Sequence, residues 1–140
     1  MTTISELLHQ KADAIGAKDP KGMTSGYAAG AVIFSLAPPL RQPGDARDPQ
    51  PMEHWLATFE GPMNLEIRDL EIVEEGDLAY ATSIDGLSAT PKGSTESFTL
   101  WYRSTLGLRR IDDRWRIVHE HESVPFEMDG SMRASVDLRP

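Results

Sequence analysis

The first part of the chain contains three segments in which apolar residues recur at helical intervals. The first runs from about Ser5 to Ala17, and Thr3 and Glu6 have the spacing of a capping box at its start. Asp19-Pro20 and Asp48-Pro49 each place a capping residue before a proline, which is typical of a helix N-terminus. The apolar residues that follow these two starts are Met23 and Tyr27, then Met52, Trp55, Leu56 and Phe59. We therefore predict three amphipathic helices, with a brief β run over Ala31 to Leu36 between the second and the third.

After Gly61-Pro62 the apolar pattern changes to a period of two, which is typical of strands. A first strand passes through Leu65 and Ile67 to a turn at Glu75-Gly76, and three more cover Leu78 to Ser88, Glu96 to Ile111 and Arg114 to Val124. Helices followed by long consecutive strands predict an α+β domain, in which three N-terminal helices pack on a curved antiparallel sheet. The concave face of such a sheet can hold a ligand. We expect one domain over residues 1–126 and a polar tail over 127–140.

The last strand contains the residues with the clearest chemical potential. Because side chains alternate across a strand, His119, His121 and Ser123 would share a face with the core residues Trp115 and Ile117. If the turn at Asp112-Asp113 closes a three-residue loop, the preceding strand adds a group to this face. In that register Thr105 lies opposite His121, Arg103 lies opposite Ser123, and Trp101 lies one step beyond. The pattern thus predicts two histidines, a cation and hydroxyl groups inside the concave face.

Four interpretations of this cluster remain open from the residues. The histidines could be hydrogen-bonded core residues, because buried polar groups are usually simply satisfied. They could perform acid–base chemistry, since histidine titrates near neutral pH and Arg103 could hold an oxyanion. They could bind a ligand without chemistry. A metal site is the weakest interpretation, because two histidines on a strand supply too few ligands, and we predict neither a metal nor a cofactor.

The third and fourth strands also predict how copies of the chain associate. Tyr102, Leu106 and Leu108 share one face of the third strand, opposite to the predicted cluster, and Val118 of the fourth strand would lie on the same side if His119 points inward. If the cluster points inward, this apolar face points outward and would need a cover. The pattern therefore predicts a homodimer.

Composition excludes several classes of function. The chain has no cysteine, so it has no disulfide framework and no thiolate nucleophile. A net charge of −8 opposes binding to nucleic acid or to an anionic membrane, because both reward a basic surface. Neither a signal sequence nor a membrane-spanning run stands out, so we expect a cytoplasmic protein.

Several motifs resemble the SnoaL-like, or ketosteroid-isomerase-like, branch of the NTF2-like superfamily. The resemblance runs from about Ile4 to Phe126 and is most specific in four segments: Leu36 to Leu40, Trp55 to Pro62, Trp101 to Thr105, and Trp115 to Phe126. It implies a cone-shaped α+β fold with a pocket inside, often a homodimer through the outer sheet face. It does not imply one reaction, because the superfamily includes isomerases, cyclases, dehydratases, epoxide hydrolases and non-catalytic proteins.

Site residues transfer only in part through this resemblance. Ketosteroid isomerases use a tyrosine of the first helix, and this first helix contains none. Cyclases of the SnoaL type place an acidic base on the late strands, where this sequence has His119 and His121. The resemblance also implies an acidic residue in the place of Ser35 and a histidine in the place of Thr82, and the absence of both here counts against a demanding acid–base or metal role.

The resulting hypothesis is a cone that binds a small, largely apolar molecule bearing a carbonyl or carboxylate, with cofactor-free proton transfer next to that carbonyl. His121 would be the base or acid, His119 its partner, and Arg103 with Thr105 the anchor. The remaining predicted contacts are Trp101, Trp55 and Tyr27 as apolar wall, Ser123, and Asp85 as an inward carboxylate. The alternative is a non-catalytic ligand-binding or dimerisation module, which a cone filled by side chains would favour.

Overall fold

The computed structural model describes residues 1–140 and begins with two helices. Helix α1 (Ile4–Gly16) has the predicted capping box, in which Thr3 Oγ1 accepts from the Glu6 amide at 3.1 Å and Glu6 accepts from the Thr3 amide at 2.8 Å. Helix α2 (Pro20–Thr24) is a single short turn that begins at the predicted proline. The third helix, α3 (Gln50–Leu56), also begins beside its predicted proline. The helical N-termini were thus predictable from local chemistry.

Five strands form one sheet. They are β1 (Tyr27–Phe34), β2 (Phe59–Glu75), β3 (Leu78–Pro91), β4 (Phe98–Ile111) and β5 (Arg114–Ser123), in the spatial order β1-β5-β4-β3-β2. Strands β2 to β5 form the predicted antiparallel meander, and β1 adds a parallel edge beside β5. The fold is therefore the predicted α+β class, in which helices pack on a curved sheet that does not close.

Two helical predictions extend too far. Tyr27 begins β1 rather than ending α2, and Phe59 begins β2 rather than extending α3. Both residues continue the helical spacing, but each lies past the point where the chain turns into the sheet. Phe59 still packs edge to face on Trp55, with ring centroids 5.1 Å apart.

The core lies between α1 and the inner face of the sheet. Two apolar clusters fill it, one around Ile4, Leu8 and Ile117, the other around Ile15, Met23 and Leu87. The residues of β4 that belong to these clusters are Tyr102, Leu106 and Leu108. The prediction that these three form an outer apolar patch is wrong, because they face the helices and are buried within a single chain.

A β-bulge in β5 explains the reversal of faces. Leu108 pairs with Ile117 and Gly107 pairs with His119, so Val118 is an extra residue between two regular pairs. Trp115 and Ile117 are buried before the bulge, and beyond it Glu120 is the buried residue while His121 is exposed. Strict alternation through this strand would have placed the histidines inside. One extra residue puts the acids there instead.

The C-terminal residues make a small structure of their own. Phe126 and Ala134 form an isolated bridge, and the buried Ser135 donates from its hydroxyl to Glu127 at 3.1 Å. None of the helices is both long and apolar enough to cross a membrane.

Candidate functional site

An ion pair lies at the centre of the inner face of the sheet. Lys11 of α1 donates from Nζ to Glu120 Oε1 at 2.5 Å, and the Tyr27 hydroxyl donates to Glu120 Oε2 at 2.8 Å. The side chains of Lys11 and Glu120 are 22% and 7% exposed. Burial lowers the pKa of Lys11, but the negative charges of Glu120 and Glu122 outweigh it and hold that pKa well above its usual value. Glu120 therefore has a fixed cation on one oxygen and a neutral donor on the other.

Glu122 follows two positions along β5 and points to the same face. Burial and the negative charge of Glu120 raise the pKa of the Glu122 carboxyl to about 8, although Lys11 opposes the shift. Near neutral pH this carboxyl therefore holds a proton. The ion-paired carboxylate of Glu120 and the protonated carboxyl of Glu122 thus share one face of the strand, an arrangement that can separate acid and base roles.

A third carboxyl group, Asp85 of β3, is also on the inner face and is 7% exposed. Burial raises its pKa, and the hydrogen bond that it accepts from Ser83 Oγ at 2.7 Å opposes this shift. Asp85 forms no ion pair, so it keeps capacity to accept a proton. Burial also raises the pKa of Tyr27 and of Tyr102, which keeps both phenols protonated. We call Lys11, Tyr27, Asp85, Tyr102, Glu120 and Glu122 the acidic cluster.

A cavity of about 750 Å³ reaches this cluster at Glu122. The segment after β1 forms most of its wall, with Leu36, Pro38 and Leu40 as apolar lining, and His121 also contributes. Gln42 holds this segment in place, because its side-chain amide donates to Ser35 Oγ at 2.8 Å and to the Ala37 carbonyl at 3.0 Å. The cavity thus combines an apolar wall with one protonatable carboxyl group.

The two predicted histidines lie together, but outside the concave face. Their ring centroids are 6.2 Å apart, and Phe34 contacts both at 5.1 and 5.5 Å. His119 Nδ1 is 2.7 Å from the Val32 carbonyl, and His121 is exposed. Their predicted place inside the cone is wrong, because the bulge at Val118 turns them to the outer face. No group of three or more potential metal ligands includes them.

The predicted partners of His121 are paired as expected but share its outer face. Thr105 lies opposite His121, and Arg103 lies opposite Ser123, to whose hydroxyl it donates at 3.2 Å. Trp101 is on this side as well, where it stacks under Arg68 at 4.9 Å. None of these side chains points into the cone with the acidic cluster.

The remaining predicted contacts lie on the inner side. Tyr27 and Asp85 belong to the acidic cluster, and Trp55 packs on the apolar cluster around Ile15 and Leu87. Tyr27 is more than an apolar wall, because its hydroxyl binds Glu120.

The sequence contained a signal for one of the residues that were not predicted. Lys11 falls at helical spacing from Ile4, Leu8 and Ile15, so a cation interrupts the apolar stripe of α1. A buried cation requires a buried anion, so Lys11 predicts a carboxylate on the face of the sheet that α1 covers. In the structure this carboxylate is Glu120. Glu122 and Tyr102 have no comparable signal, since their orientation depends on the bulge.

Comparisons with known proteins agree with this fold. Residues 4–127 match the SnoaL-like domain. An NTF2-like protein of unknown function from Pseudomonas putida KT2440 has 29% identity and a TM-score of 0.84, over 98% of this chain and 94% of that one. A protein from Novosphingobium aromaticivorans DSM 12444 with the provisional name scytalone dehydratase has 14% identity and a TM-score of 0.76, over 94% and 87%. A provisionally named dehydratase of the NTF2-like family from Streptomyces avermitilis has 14% identity and a TM-score of 0.73, over 86% and 92%. No curated protein matches the sequence.

The two provisionally named dehydratases show only that this chain shares their fold, since each is 14% identical to it. The family match is stronger, because it spans nearly all the elements that build the cone and the acidic cluster. The chain therefore belongs to the SnoaL-like domain family and has the NTF2-like fold.

Proposed function

We propose that the protein binds a small, largely apolar carbonyl compound in the cavity that Glu122 lines and transfers a proton next to that carbonyl. One observation carries the proposal: Glu122 belongs to the buried acidic cluster and also lines the 750 Å³ cavity. A carboxylic acid with a pKa of about 8 is protonated at neutral pH and can donate to a carbonyl oxygen. Isomerisation, cyclisation and dehydration all use this step.

The other members of the cluster have supporting roles in this proposal. In this proposal Asp85 is the base that accepts the proton from carbon, since it is buried on the same face and forms no ion pair, although it does not itself line the cavity. Lys11 and Tyr27 hold the Glu120 carboxylate in place by an ion pair and a hydrogen bond, and the charge of Glu120 helps to keep Glu122 protonated. Lys11 and Tyr27 thus position and tune the acid rather than react with substrate.

Deuterium exchange tests this assignment without knowledge of the natural substrate. A panel of small cyclic and aryl ketones is incubated with the protein in D₂O, and the loss of α-proton signal is followed by NMR. We expect exchange above the protein-free rate with at least one ketone, falling as the pH rises through about 8, where Glu122 ionises. Glu122→Gln should lower the exchange rate by about a hundredfold, the usual contribution of general acid–base catalysis.

His121→Asn is the matched control, because His121 lines the same cavity from the other face of β5. This variant should keep the exchange rate within about threefold, less than a typical acid–base contribution. If His121→Asn abolishes exchange and Glu122→Gln keeps it, His121 is the acid–base residue and the assignment of Glu122 as the acid is refuted. If ketones bind without exchange, the protein is the non-catalytic module instead.

We also propose that the protein is a homodimer through its outer sheet face, using residues other than those first predicted. Val73, Leu78 and Tyr80 are large apolar side chains on this face and about half exposed. Phe34 and Trp101 lie on the same side of the sheet. An apolar surface of this kind favours association with a second copy.

A further inference from the structure

A second cavity, of about 620 Å³, lies where the start of β1 meets the end of α2 and the β4–β5 hairpin. Three cations line it: Lys21, Arg47 and Arg116. Its lining contains no aspartate or glutamate, although the chain has 22 acidic residues and only 14 basic ones. The cavity is therefore a local positive site in an acidic protein.

The three cations are not equally available. Arg47 forms a two-pronged ion pair with Asp45, with Nη2 to Oδ2 at 2.7 Å and Nε to Oδ1 at 3.0 Å. Lys21 and Arg116 form no ion pair. Arg116 donates from Nη1 to the Ser25 carbonyl at 3.0 Å, which fixes its guanidinium and leaves its other N–H groups to bind a ligand. Two uncompensated cations thus share one cavity.

The rest of the wall is mainly apolar and small. Ala28, Pro49 and Ile111 contribute to it, and Tyr27 also lines it. Such a wall fits a compact hydrocarbon body, whereas the cations require a negative group at one end. We propose that this cavity binds a small organic anion, a carboxylate or phosphate monoester on a compact apolar body, held by Lys21 and Arg116.

This site is independent of the proposed proton transfer. It shares no lining residue with the cavity at Glu122. Tyr27 is the one residue that connects the two regions, because it lines this cavity while its hydroxyl binds Glu120.

Binding is tested by titrating the protein with benzoate and with phenyl phosphate, with benzyl alcohol as the neutral probe. Backbone amide shifts in NMR spectra should saturate at Ala28, Ala29 and Ile111 for at least one anion. The anion that binds more tightly identifies the headgroup, and raising the salt concentration should weaken it. Lack of saturation by either anion at roughly 10 mM, a concentration that detects even millimolar affinity, overturns the proposal.

Charge-matched variants separate this site from general attraction. Lys21→Gln and Arg116→Gln should each weaken anion binding about tenfold or more, the usual effect of losing one charge-assisted hydrogen bond. Arg109 is the cross-strand neighbour of Arg116 but does not line the cavity. Arg109→Gln removes the same charge and should change the affinity by less than about twofold. Lys21 makes no side-chain hydrogen bond, so its variant stays informative if Arg116→Gln unfolds the chain. Equal weakening by Arg109→Gln, or equally tight binding of benzyl alcohol, refutes the site.

Discussion

Replacing Glu122 with glutamine should make the protein more stable at alkaline pH and change little at acidic pH. In the folded chain this carboxyl has a pKa of about 8, while its ordinary value is 4.5. Between these values the folded chain holds a proton that the unfolded chain has released. Stability from this group is therefore complete below pH 4.5 and is lost as the pH rises to about 8.

The size of this loss follows from the two pKa values. Each tenfold change in proton affinity corresponds to about 1.4 kcal/mol, so the group accounts for at most about 5 kcal/mol. Glu122 borders the cavity, where water reaches it, and we therefore expect about 2–4 kcal/mol. The glutamine variant keeps the shape and the neutral state of the protonated acid but cannot ionise. Its free energy of unfolding should thus exceed that of the unmodified protein by about this amount near pH 8.5.

Urea unfolding at a series of pH values measures the difference. The two proteins should be nearly equal near pH 5, diverge as the pH rises to about 8, and differ by a constant amount above that. Glu74→Gln is the control, because it removes the same charge from an exposed position on β2. If the Glu122→Gln difference is flat across the series, or matches that of Glu74→Gln, the carboxyl does not titrate as we state and the acid role of Glu122 fails with it.

Three further predictions concern the buried ion pair, the packing around Gly86 and the proposed dimer. Lys11→Met should lower the free energy of unfolding by about 2–3 kcal/mol in urea titrations, because it leaves Glu120 buried without its cation, and adding Glu120→Gln should restore most of the loss. No loss, or no restoration, would contradict the ion pair. Gly86→Ala should cost about 1–3 kcal/mol and shift Trp fluorescence, because a Cβ would lie 2.7 Å from the Trp101 ring; an unchanged spectrum and stability would refute this contact. Tyr80→Arg should convert a dimer to a monomer in sedimentation while Leu106→Arg unfolds the chain, and an unmodified protein that sediments as a monomer would contradict the outer interface.

The helix starts and the antiparallel meander of β2 to β5 were predictable because their signals are local. The capping box at Thr3, the prolines at the helix starts and the change to a period of two each act within a few residues. The parallel pairing of β1 with β5 depends on contacts between distant segments, and no local pattern in Tyr27–Phe34 specifies it.

The candidate site was only partly predictable, for a related reason. The pairing of Thr105 with His121 was correct, although the loop assumed for it was not: the hairpin closes with two residues, Asp112 and Asp113, both at positive φ, and the bulge at Val118 supplies the remaining offset. A bulge leaves no clear trace in the alternation of polar and apolar residues. The predicted pairing of β4 with β5 is therefore correct, whereas the predicted faces of the side chains after Val118 are wrong.

The bulge also means that the end of β5 could present either of two sets of side chains to the concave face. A slip of one residue beyond Ile117 would bring His119, His121 and Ser123 into the cone and turn Glu120 and Glu122 outward. Lys11 decides between these alternatives, because in the slipped state its ammonium group would lose Glu120 and remain without an anion in the core. The ion pair of Lys11 with Glu120 thus favours the observed register over the slipped one. A chain without Lys11 would lose this preference for carboxylates over imidazoles inside the cone.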